Sequence, residues 1–98
     1  IDEDSPVSLQ AILGMSVERL DKTNQERFAM LSVFGAEPLI WTPDAVAYVW
    51  ECEIREAEKT ISEFIQRGLV VYRPEQQGYW MHMLLADYAS EMREERGL

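Results

Sequence analysis

Apolar residues recur at the helical period in five stretches of this chain, and two short β-like runs separate the fourth from the fifth. The first stretch carries Leu9, Ile12, Leu13, Val17 and Leu20 on one stripe, with Ser5 as N-cap and Pro6 at the first helical position. Gly14 interrupts it; glycine is about 1 kcal/mol worse than alanine inside a helix, so we expect close packing there. Asp21-Lys22 reads as a break. Thr23 and Glu26 then have the spacing of a capping box, and Phe28, Leu31 and Phe34 form the next stripe, widened by Met30 and Val33. Gly35 ends that helix and Glu37-Pro38 prevents its resumption.

Leu39-Ile40-Trp41 is too short for a helix and suits a small strand. Thr42-Pro43-Asp44 starts a brief third helix with Val46, Val49 and Trp50 inward. After a tight joint at Glu51-Cys52-Glu53, the fourth helix carries Ile54, Ala57, Ile61, Phe64 and Ile65, and Gly68 closes it. Two helices joined so closely resemble a helix-turn-helix, although the turn lacks the usual glycine. Leu69 to Tyr72 is a strand, Arg73-Pro74-Glu75-Gln76-Gln77-Gly78 a turn, and Tyr79 to Met83 the returning strand. Leu84, Leu85, Tyr88, Ala89 and Met92 line the last helix, ended by Gly97. The expected fold is mainly α with a small β-hairpin: a winged helix, with helix-turn-helix, wing and C-terminal helix, as one domain over residues 1–98.

Charge narrows the partners. Eighteen acidic against nine basic residues give a net charge of −9, and the basic residues are dispersed beside carboxylates. Such a surface repels phosphate backbones, so acidity weighs against nucleic acid and suits a basic protein neighbour. No apolar run reaches the roughly 18–20 residues that span a bilayer, so no membrane role is expected. Cys52 stands alone, which excludes an internal disulfide and fits the cytoplasm. Glu51 and Glu53 beside it disfavour a thiolate, so it reads as structural. The chain opens on Ile1 rather than Met, and we expect it to be a piece of a larger multidomain protein.

A resemblance emerges from the order of several segments. Met15-Ser16-Val17-Glu18-Arg19-Leu20 is followed by Phe28-Ala29-Met30-Leu31-Ser32-Val33-Phe34, then Trp50, then Gly68-Leu69-Val70. Last come Tyr79-Trp80-Met81-His82, Leu84-Leu85 and Tyr88-Ala89. Over roughly residues 8–90 this is similar to the winged-helix subdomain of the signal-transduction ATPases with numerous domains, the NB-ARC or AP-ATPase type. The family's sharper motif is Met-His-Asp at the start of the last helix; here Met81 and His82 match, and Met83 replaces the acidic residue. The resemblance implies that His82 contacts the β-phosphate of ADP and so holds the closed, inactive state. It carries over no role for the family's aspartate. Its implied partner is the nucleotide-binding domain of the same chain, with a downstream repeat or effector domain as a further one.

Side chains alternate faces along a strand, so Met81 and Met83 are expected inward and Trp80 and His82 outward together. As neighbours of His82 in the motif, Trp80, Met81 and Met83 are also taken as the expected interdomain surface, which the resemblance implies. A helix start offers free amides and partial positive charge to a phosphate. The plainer reading makes His82 a packed or capping residue and lets Trp80 pack over the wing.

No catalytic residue and no metal site is expected. No G-x-x-x-x-G-K-[ST] loop is present, so we expect no enzymatic activity and no cofactor in this domain alone; the resemblance implies ADP or ATP in the parent protein. The acid pairs Glu56 with Glu63 and Glu94 with Glu95 suit solvated faces. Two other functions compete. A DNA-binding winged helix would present Arg55, Glu56, Glu58, Lys59, Ser62, Glu63 and Gln66 to the groove, three carboxylates against two cations. A nucleotide-independent protein-interaction module would use the Trp80 face.

Overall fold

The apolar stripes converge on one core in the computed structural model, which describes residues 14–36 and 39–98. The expected caps and apolar positions between Ser5 and Leu13, and the stop at Glu37-Pro38, lie outside the described residues. Helix α1 is described over residues 14–18, and Val17 and Leu20 are buried. Gly14 sits against the last helix: a Cβ built there would lie 3.1 Å from the Tyr88 hydroxyl, the close packing its position suggested.

Helix α2 spans Lys22–Met30, starting earlier than the capping-box spacing implies. Asp21 is the N-cap, and its carboxylate accepts from the Asn24 amide at 2.8 Å. A carboxylate at this place satisfies a free amide and faces the positive helix end, so Thr23 and Glu26 fall inside the helix instead. After Met30 the chain tightens into a 3-10 turn over Leu31–Phe34, stopped by Gly35 at φ +82°. That tightening abandons the 3.6-residue stripe. Leu31 stays buried, Phe34 is half-buried, and Val33 is turned out to water.

Helix α3 (Pro43–Trp50) and helix α4 (Ile54–Gln66) are packed on each other. The joint between them is a Schellman closure: the Cys52 amide donates to Ala47 O and the Glu51 amide to Tyr48 O. The same pair of bonds closes α4 around Gly68 and the last helix around Gly97. Glu51 therefore takes the left-handed conformation (φ +58°) that glycine takes at the other two ends. A Cβ is strained there by roughly 1 kcal/mol. We expect Glu51→Gly to raise the thermal midpoint by about 2–6 °C. A scanning-calorimetry midpoint that stays put or falls would contradict this closure.

Strands β1 (Val71–Arg73) and β2 (Gly78–Trp80) form an antiparallel hairpin, pairing Val71 with Trp80, Tyr72 with Tyr79 and Arg73 with Gly78. Leu69 and Val70, expected within the first strand, are buried ahead of it. The segment expected as a third strand contributes one bridge, Trp41 exchanging bonds with Tyr79 at 3.0 and 2.9 Å. Phe34, Trp41, Tyr79 and Tyr72 follow one another in ring contact along this side. Gly78 is what lets the Trp41 segment cross. A Cβ there would fall 2.0 Å from Ile40 Cγ2 and 3.1 Å from Trp41 O. Gly78→Ala should cost about 1–3 kcal/mol by overpacking, read from urea midpoints at unchanged slope. A loss below about 0.5 kcal/mol would mean the crossing yields freely.

Helix α5 (Met83–Arg96) returns across α2, burying Leu85, Ala86, Ala89 and Met92. Among the described residues the architecture is thus mainly helical, with one two-stranded antiparallel sheet between α4 and α5 in sequence. Among the described residues, no helix is long and apolar enough to cross a membrane.

Candidate functional site

The hairpin hands over to α5 in two residues. β2 ends at Trp80, Met81 is fully buried, and His82 has extended backbone (φ −61°, ψ 148°) as the N-cap of α5. Its carbonyl accepts from the Ala86 amide at 2.9 Å, opening the helix. Its imidazole Nδ1 accepts from the Leu84 amide at 3.2 Å. The ring is therefore exposed yet tethered to the helix it starts. Among side chains that cap helices, oxygen acceptors lead; here a ring nitrogen does that work.

Strand alternation fails at this point because the strand stops at Trp80. Met81 and Met83 do not share a face: Met81 has no exposed surface, whereas Met83, the first residue of α5, is 57% exposed. Met81 is a core anchor beneath the junction and offers nothing to a neighbouring domain, correcting its place in the expected surface. Trp80 is half-buried, with the Arg73 guanidinium 4.0 Å from its ring centroid and Val71 opposite it on β1. That stacking accounts for Trp80 as part of the hairpin itself. His82 and Met83 remain together at the exposed start of α5.

The first turn of α5 carries no acidic side chain, while Arg93 and Arg96 occupy its last turn. A helix of this length presents partial positive charge and unpaired amides at its start, an environment for an anion.

Other chemistry-bearing residues are committed elsewhere. Arg27 ties α2 to α4: its guanidinium donates to Thr60 Oγ1 at 2.9 Å and to the Glu56 carboxylate, and it lies over the Trp50 ring. Its carbonyl accepts from Trp50 Nε1 at 3.0 Å. Glu63 meets Asn24 Nδ2 and Arg67, so Glu56 and Glu63 serve ion pairs and hydrogen bonds rather than a dyad. The Arg27 linkage joins residues about thirty positions apart, and no local spacing announces it. Burial pushes the Cys52 thiol up; Arg27 opposes the rise, and Glu56 and Glu53 add to it. A thiol so placed is a poor nucleophile. Among the described residues, no group of three or more His, Cys, Asp or Glu side chains has the geometry of a metal site.

A scan of protein-family models finds no match to this chain, and a search of the curated proteins finds no significant relative.

Proposed function

We propose that this domain is the winged-helix regulatory module of a nucleotide-switched signalling ATPase of the NB-ARC or AP-ATPase type. On this reading α3 and α4 are the helix-turn-helix, the β1–β2 hairpin is the wing, and α5 is the closing helix. The module packs on the nucleotide-binding domain of its own parent chain, in the cytoplasm, and passes the state of the nucleotide to a downstream repeat or effector domain. ATP chemistry belongs to the parent. His82 contacts the β-phosphate of bound ADP and holds the inactive state.

The observation that carries this reading is an exposed imidazole, held by a cap, at the junction of hairpin and α5. A tethered ring loses little freedom on meeting a phosphate, and the helix start beside it favours the negative charge. When ADP leaves, the contact goes with it and the module swings as a rigid body. The rate of ADP release from the intact parent, with and without His82→Ala, tests the reading; equal rates would count against it.

A DNA-reading role finds less support in the same geometry. The groove beside α4, about 530 Å3, sets Arg27, Arg55 and Lys59 against Glu53, Glu56 and Glu63. Arg27 is already paired with Glu56 across it. A face with balanced charge lacks the phosphate anchors that give duplex binding its affinity.

A further inference from the structure

The Leu84 amide is a donor with one hydrogen, and it points at Nδ1 of His82 at 3.2 Å. A ring nitrogen that accepts a hydrogen bond carries no proton, so in the neutral imidazole the proton sits on Nε2. We infer that the helix cap is a tautomer lock: the Leu84 backbone fixes His82 with Nε2–H as its outward group. This rests on the reading of His82 as a contact residue and adds the regulation of that contact. Only a hydrogen-bond acceptor fits an outward Nε2–H, so the class of atom His82 meets is an oxygen such as those of a phosphate. Amide N–H and ammonium groups are excluded while the ring is neutral.

The lock also couples two events. Turning the ring to present Nδ1, or protonating it, breaks the first-turn bond to Leu84, so the start of α5 and the outward donor keep or lose their order together. Leu84 thereby acts as a positioning residue through its backbone amide, a role that every replacement but proline keeps.

The test is nitrogen-15 NMR on this chain without nucleotide, at a pH where the ring nitrogens give neutral-imidazole shifts. Long-range proton–nitrogen correlations report which ring nitrogen is protonated, and a nitrogen–nitrogen coupling across the hydrogen bond reports the donor. The expected result is Nε2–H alone, with a resolved coupling between the Leu84 amide nitrogen and Nδ1. An Nδ1–H ring, a mixture of tautomers, or an Nε2–H ring lacking that coupling would each overturn the lock. ADP release indifferent to His82 would instead sink the phosphate reading and leave the tautomer result standing.

Discussion

Replacing His82 with alanine in the intact parent is expected to speed ADP release roughly 5–150-fold, the range spanned by a coupling of about 1–3 kcal/mol. The direction follows from the proposed contact, which exists only with ADP bound. The substitution also removes the acceptor for the Leu84 amide, and losing an N-cap costs about 0.5–2 kcal/mol of stability. His82→Asn separates the two effects. Asparagine keeps a short acceptor for the capping amide and lacks the reach of the outer ring nitrogen. It should release ADP as fast as the alanine variant while melting within about 2 °C of the wild type. Fast release in alanine but not in asparagine would assign the effect to helix order rather than to a phosphate contact.

The largest loss of stability is expected at Phe28. It is fully buried, packs edge-on against Phe64 at 6.1 Å between centroids, and lies 6.5 Å from Tyr88. One ring therefore joins α2 to both α4 and α5. Phe28→Ala removes that wedge and leaves a cavity, at a cost of about 3–5 kcal/mol. A domain of this size holds roughly 5–15 kcal/mol in all. The melting midpoint should fall by roughly 15–30 °C. Phe34→Ala, at a half-buried ring in the 3-10 turn, should cost markedly less in the same calorimeter. Equal losses at the two positions would mean that the core is not centred on Phe28.

Much of the fold was legible because its signals are local. Thr42-Pro43 marks the start of α3, Gly68 and Gly97 sit where α4 and α5 close, and turn residues separate two β-forming runs. Caps and chain reversals need only neighbours in sequence, so periodicity and residue type report them directly. What misled was the transition from one backbone period to another. Period-two alternation predicts a strand through Met83, yet β2 ends at Trp80 and the helix is already capped at His82 and begun at Met83. Met81 consequently points into the core and Met83 into water. The 3-10 turn at Leu31–Phe34 moved Val33 off its stripe for the same kind of reason.

The candidate site was legible as a residue and not as a geometry. His82 is the sole histidine, which sets it apart in the sequence. Its service as N-cap depends on where the strand stops. The stacking of Arg73 on Trp80 depends on register, and the Arg27 linkage depends on long-range packing. The last two leave no mark at fixed spacing, whereas a capping role was already one reading of a histidine at a helix start, and His82 fills it.

On the proposed function, His82 touches a nucleotide held by another domain of the same chain. A structure of the intact parent loaded with ADP measures it directly. Nε2 of His82 should lie at hydrogen-bond distance, about 2.7–3.2 Å, from a β-phosphate oxygen. An imidazole several ångströms from any phosphate, with ADP bound and the module docked, would contradict it.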